Sequence, residues 1–226
     1  MTTWDVTTLP TLIRYLLDLV GPLDDLPYPA VFAVDGRGGA GKTTLTRAIT
    51  ALYPSAQVLC IDDLAWNEPF YQWDYLLVAA LTELRHTGVL DLVPPAWQAH
   101  HVEGSINISS CPLVIVEGSG AGMRAVNGLI DAHVWVQTDD DVAEQRRIRR
   151  DIAEGVNGDD QESARFWYQW MAAERAFFAL DRPWERADVI VAGQDPQGLA
   201  DREVAWVRGP LGPAGPAGPR PGTTGE

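Results

Sequence analysis

Gly36, Gly38, Gly39, Ala40, Gly41, Lys42, Thr43 and Thr44 fall in one stretch, GRGGAGKTT, that fits G-x-x-x-x-G-K-[ST] in full. Each residue type has a physical task. The glycines let the backbone turn tightly and bring its N–H groups close to phosphate oxygens. A helix starting at Lys42 would aim its positive end at the same oxygens. Lys42 adds a compact ammonium that can reach two adjacent phosphates, in a cradle where a planar guanidinium would fit poorly. Thr43 offers a hydroxyl to a Mg2+ ion held with those phosphates. Lys42 is the only lysine in the chain, and every other strongly basic residue is arginine. A coding bias toward arginine explains the scarcity. It does not explain why the one lysine stands at this position. The stretch therefore reads as a loop for the phosphates of ATP or GTP.

Acidic residues follow two further apolar runs. Asp62 and Asp63 end VLCIDD, and Glu117 ends PLVIVE. At the carboxyl end of a parallel strand such groups face the ligand crevice. There a carboxylate can take a proton from a substrate hydroxyl or bind Mg2+. Turn formation or helix capping would account for the same residues. Glu117 and Asp62, with Thr43, form the candidate metal set. QRRIRRD holds Arg146, Arg147, Arg149 and Arg150. On a helix, residues three and four apart share a face, so one Arg face can clamp a transferring phosphate while the other is solvated or paired with Asp139 to Asp141. On the acceptor side, Trp66, Trp73 and Trp97 can stack on a flat substrate, and Tyr71 and Asp74 can bind sugar hydroxyls. Core packing is the competing role for each Trp. His100 and His101 read as a loop or substrate rim, with no partner ligands at metal spacing.

Positioning these groups requires an alternation of strands and helices. Thr8 to Val20 has the apolar periodicity of an amphipathic helix, with Pro10 in its first turn and Gly21-Pro22 as its stop. Ala30 to Asp35 is a nearly continuous apolar run, as expected of a strand buried on both faces. Further strands are predicted at Gln57 to Ile61, Pro112 to Glu117, Ala132 to Gln137 and Ala187 to Ala192. Helices are predicted at Lys42 to Leu52, Trp73 to His86, Asp140 to Glu154 and Glu162 to Leu180. Five strands separated by helices or long crossovers predict a parallel five-stranded α/β sheet flanked by helices. Val89 to Val93 reads as an additional short strand. The expected organisation is an N-terminal helix and connector over 1–29, one domain over 30–205, and a Gly/Pro-rich disordered tail over 206–226.

The chain has 226 residues, a hydrophobic fraction of 46% and a formal net charge of −14. That charge argues against a duplex nucleic-acid partner. Arg14 and Asp18 interrupt the first apolar run, so neither a secretion leader nor a membrane span is expected there. Cys60 and Cys111 each sit in an apolar run and read as buried thiols of a reducing, cytoplasmic compartment.

The order strand–GxxxxGKT–helix, strand–DD, strand–EG, then RRIRRD resembles the uridine kinase-like branch of P-loop small-molecule kinases, over roughly Val31 to Gly193. A helix with Trp167, Trp170 and Glu174, followed by RADVIVAG, strengthens the likeness. The resemblance implies a P-loop NTPase-type fold with an Arg-rich lid helix, ATP and Mg2+ as cofactors, and a small-molecule acceptor, most often a nucleoside. It leaves a homodimer open. It implies Asp63 as general base, with Asp62 the alternative, Glu117 as the Mg2+-associated acid, and Arg146, Arg147 and Arg150 as lid arginines on the phosphates. The chain departs from the family where Pro95 and Ala96 replace a Tyr-Asp pair. Phosphoryl transfer is thus better supported than uridine, and another metabolite, an antibiotic-like one included, is the main alternative acceptor. An ATPase or switch without an acceptor should carry a Gln-bearing motif after Glu117, and none is present.

Overall fold

The computed structural model describes residues 4–154, 160–195 and 198–210. The elements run β1 (Asp5–Thr8), α1 (Leu9–Val20), β2 (Ala30–Gly36), α2 (Lys42–Leu52), β3 (Gln57–Cys60), α3 (Ile61–Leu64) and α4 (Asp74–Thr87). They continue with β4 (Leu90–Leu92), α5 (Pro95–Ala99), β5 (Ile106–Ile108), β6 (Leu113–Glu117), β7 (Ala132–Gln137), α6 (Asp140–Glu154), α7 (Asp160–Asp181), β8 (Val189–Ala192) and β9 (Glu203–Arg208).

The apolar runs form the centre of the sheet because each is buried on both faces. In β2, Val31 and Ala33 join a core with Trp73, Leu77, Leu81 and Leu84 on one side. Ala30, Phe32 and Val34 join a second core with Leu12, Leu16, Leu45 and Ile49 on the other. Successive side chains of a strand point to opposite faces, so a continuous apolar run needs a helix layer on each. Helices α1 and α2 cover one face and α4 covers the other. The strand order is β1-β9-β8-β7-β2-β6-β3. Five consecutive strands, β8, β7, β2, β6 and β3, pair in parallel, as the alternation predicts.

Two features extend the expected sheet. Strand β9 adds antiparallel to β8, and β1 adds antiparallel to β9. The segment placed outside the domain at 1–29 therefore supplies an edge strand and a core helix, and β9 runs past the boundary drawn at 205. Residues 211–226, which hold most of the Gly/Pro tail, lie outside the described residues. The short strand expected near Val89 is β4, paired with β5 in a separate two-stranded sheet. No helix among the described residues is long and apolar enough to cross a membrane. Cys60 and Cys111 are free, and half-buried rather than buried.

Trp73 belongs to this core. It is 1% exposed, and its ring packs on Tyr71 and, stacked, on Trp170. It cannot face a bound substrate, as its place among the acceptor-side tryptophans suggested. Trp73→Ala should destabilise the protein by about 3–5 kcal/mol, the scale for an emptied aromatic core site. Urea unfolding followed by circular dichroism would measure it.

Candidate active site

Strand β2 lies between β6 and β7, so the loop at its carboxyl end is flanked by the ends of those two strands, with β3 next beyond β6. This is where an open parallel sheet places its ligands. A cavity of about 470 Å3 opens there, within the range of small-ligand sites. Gly38, Gly39, Gly41, Lys42, Thr43 and Thr44 form its floor. Gly41 caps α2 in the left-handed region, at φ 105°. The first N–H groups of α2 have no partner inside the helix and are presented to an anion. Gly39 has φ +82°, and a Cβ there would collide with the Ala143 carbonyl of α6. The loop thus packs directly on the Arg-rich helix, which only glycine permits.

Lys42 is 8% exposed and donates to the Arg37 carbonyl at 2.9 Å. Thr43 Oγ1 donates to Glu117 Oε1 at 3.3 Å. Burial pushes the Glu117 carboxyl up, opposed by the Lys42 ammonium. Glu117 and Asp62 line the same cavity. Among the described residues no cluster of three His, Cys, Asp or Glu forms a protein-only metal cage. Two carboxylates and a hydroxyl suit Mg2+, which takes few protein ligands and completes its shell with phosphate and water.

Strand β3 ends at Cys60, so Asp62 and Asp63 stand on the one-turn helix α3 rather than at a strand end. Adjacent residues of a helix do not share a face, and the two carboxylates separate. Asp62 lines the cavity and Asp63 does not. Asp63 instead receives the Trp97 indole N–H on its backbone carbonyl, at 3.0 Å. Partial burial, then the Asp62 charge, raise the Asp63 carboxyl.

Arg146, Arg147 and Arg150 all line the cavity, whereas Arg149 does not. Arg146 donates to the Gly193 carbonyl at 2.7 Å. Arg147 pairs with Asp151 at 3.0 Å, and Arg150 approaches the same carboxylate at 3.8 Å. Asp140, expected as a partner for the other Arg face, pairs with Arg37 at 3.2 Å. The acceptor-side residues divide. Tyr71 is turned inward, with its ring stacked on Phe177 and its O–H donating to Glu174 at 3.2 Å. Asp74 lies on a second, shallower cavity with Tyr71 and Phe177. Trp97 packs on the core, and His101 is exposed on a loop. Trp66 is 42% exposed and meets His100 edge-on.

Two buried polar residues, Asp35 and Ser119, were not singled out by the motifs, and Glu174 was noted only as part of the helix resemblance. Asp35, at the end of β2, accepts N–H bonds from Gly36, Gly120 and Gly122 at 2.6–2.9 Å. It ties the phosphate loop to the loop after β6. Ser119 and Glu174 reach the same loop through Gly36 and Gly38. Asp35 is the polar end of an apolar run, which was a legible signal. Burial pushes its carboxyl up to about 6, against those three N–H groups and Lys42. His133 Nε2 lies 3.8 Å away. Burial, then the Arg186 charge, push His133 down to about 3.

These shifts have opposite consequences for stability. Asp35 binds its proton more tightly in the fold than when unfolded. Its contribution is complete below about pH 4 and is lost as pH rises through about 6. His133 binds its proton more weakly in the fold. Its contribution is complete above its ordinary value of 6.5 and is lost as pH falls toward 3. Between pH 4 and 6 the slopes offset. Asp35→Asn should therefore make stability climb with pH across that window, more steeply than wild type by up to about 1.4 kcal/mol per unit. Urea midpoints at pH 4, 5 and 6 would measure the difference. Parallel curves would show that Asp35 is ionised throughout.

The fold and this constellation define a P-loop NTPase-type α/β architecture. The chain resembles a structure described as a fructose transport system kinase from a Silicibacter species, with a TM-score of 0.60 and 20% identity, over 76% of this chain and 95% of that one. A D-glycerate 3-kinase from Cryptococcus neoformans gives 0.53 and 13%, over 81% and 94%. By sequence the chain is 28% identical over 145 residues to the uridine kinase of Streptococcus mutans, covering 56% of this chain and 69% of that protein. It is 27% identical over 146 residues to the uridine kinase of Streptococcus gordonii, with the same coverage. No protein-family model matches the chain. The resemblance to uridine kinase-like P-loop kinases read from the motifs thus recurs in sequence and in fold.

Proposed function

We propose that this protein transfers the γ-phosphoryl group of ATP to a hydroxyl of a small molecule, with a nucleoside the first acceptor to test. One observation carries the reading. Lys42, Thr43, Glu117, Asp62 and three arginines, from four separate segments of the chain, line a single cavity. Phosphoryl transfer needs little covalent chemistry from a protein; it needs charge and position.

The N–H groups of the phosphate loop and the start of α2 hold the phosphates, and Lys42 neutralises the β- and γ-oxygens. Thr43 and Glu117, with Asp62 beside them, would hold Mg2+, which when bound offsets phosphate charge. Leu9, Ala48, Val191 and Val204 form an apolar wall of the same cavity suited to a flat base. Asp62, rather than Asp63, takes the proton of the acceptor hydroxyl, because it is the carboxylate that faces the cavity. Arg146, Arg147 and Arg150 stabilise charge on the transferring group and exclude water.

The test is incubation with Mg-ATP across a panel of nucleosides, sugars and hydroxy acids, with product mass as readout. A product heavier by one phosphoryl group establishes the activity and identifies the acceptor. Steady ATP hydrolysis with no phosphorylated product would replace this reading with an ATPase.

A further inference from the structure

Helix α7 carries one carboxylate in an unusual place. Glu174 is 3% exposed, yet its Oε1 accepts the backbone N–H of Gly38, in the middle of the phosphate loop, at 2.8 Å. The same oxygen accepts the Tyr71 O–H at 3.2 Å and lies 3.0 Å from Ser119 Oγ. Ser119 Oγ in turn lies 3.0 Å from the Gly36 carbonyl, which its single proton can serve. Glu174 Oε2 approaches Arg37 at 3.9 Å, and Arg37 also pairs with Asp140 at the start of α6, at 3.2 Å. Two consecutive loop residues, Arg37 and Gly38, are thus bonded to the two consecutive helices α6 and α7.

A buried carboxylate that accepts from Gly38 and Tyr71, with the Arg37 guanidinium 3.9 Å away, is costly to separate from any of them. The loop, α7 and the segment holding Tyr71 are therefore linked through one side chain. Tyr71 also lines the second cavity, beside Asp74. We propose that Glu174 is a positioning residue that latches the Arg-bearing helix pair and the Tyr71 segment to the phosphate loop, so that the loop keeps its binding shape only while α7 is docked. Glu174 does not line the main cavity, where Gly38 does, and it acts through Gly38. The part concerning nucleotide affinity rests on the function proposed above.

The experiment uses the full chain with Glu174→Asp and Glu174→Gln. Aspartate keeps the charge but withdraws the carboxylate by about one C–C bond, ~1.5 Å, too far to hold Gly38 and Tyr71 together. Glutamine keeps the reach and an acceptor oxygen for Gly38. Hydrogen exchange on the unliganded protein tests the latch without any nucleotide. In Glu174→Asp, peptides covering 36–43 and 69–73 should exchange faster together by about tenfold or more, while β6 and β7 stay protected. In Glu174→Gln the two segments should stay close to wild type. Calorimetric titration with Mg-ADP then tests the consequence. Affinity should fall about tenfold in the Asp variant and recover to within about threefold of wild type in the Gln variant, since displacement near 1 Å is costly at such sites. Wild-type exchange in Glu174→Asp would overturn the latch, as would equal loosening in both variants or loosening spread over the whole sheet. Coupled exchange in Glu174→Asp together with no Mg-ADP binding by the wild-type protein would overturn the nucleotide reading and leave the latch standing.

Discussion

Lys42→Ala should abolish measurable phosphoryl transfer, lowering kcat/KM for Mg-ATP by about 10²–10³ or more. The ammonium is the one compact cation on the cavity floor. The arginines at its rim cannot replace it, because they hang from α6 and are held by Gly193 and Asp151. Lys42→Arg should rescue little, since the side chain is 8% exposed and a planar guanidinium needs room the loop does not have. The fold should survive in both variants. Lys42 makes one internal hydrogen bond, to Arg37, and lies outside the apolar clusters. ADP release in a coupled assay, beside circular dichroism, would measure the loss. Transfer within a few-fold of wild type would remove the phosphate role from this loop.

Asp62→Asn should cost about 10²–10⁴ in kcat with a much smaller change in KM for Mg-ATP, the scale for removing a general base. Asp63→Asn should change kcat by about twofold at most, as for an exposed substitution away from the chemistry. The pair is a sharp test because family resemblance pointed to Asp63. The structure gives the cavity position to Asp62, and the two isosteric changes differ by one residue. If Asp63→Asn is the inactive variant, α3 must turn by about 100°, one residue step of a helix, when substrate binds. Steady-state kinetics with the acceptor found in the panel would decide between them.

Much of the architecture was legible in the chain itself. Ala30 to Asp35, Pro112 to Glu117 and Ala132 to Gln137 are too uniformly apolar to be half-exposed, so a two-sided parallel sheet followed. GRGGAGKTT carries its own geometry, because its glycines and the helix that starts at Lys42 are consecutive residues. The Arg-rich helix was equally clear, at the bounds the structure shows. The antiparallel edge was not. EVAWVR and DVTT are short and mixed in polarity, and a strand of that kind is stabilised by its neighbour rather than by its own pattern. Trp73 shows the same limit. A tryptophan beside a predicted site can stack on a ligand or fill the core, and only the packing of α4 on the sheet places it at 1% exposure.

By itself, the sequence determined a glycine-rich loop with a phosphate-binding pattern after a buried strand, an alternating α/β sheet around it and an arginine helix beyond. These depend on neighbours within about ten residues, through helical period, strand alternation and glycine conformation. Tertiary structure decided which of two adjacent aspartates faces the cavity, and that Leu9 from the N-terminal segment and Val204 from the last strand complete its wall. It also decided that Glu174, 136 residues from Gly38, accepts the backbone N–H of that loop residue. Such contacts are made by segments far apart in the chain, and hydrogen-bond partners brought together only by folding leave no period or spacing to read.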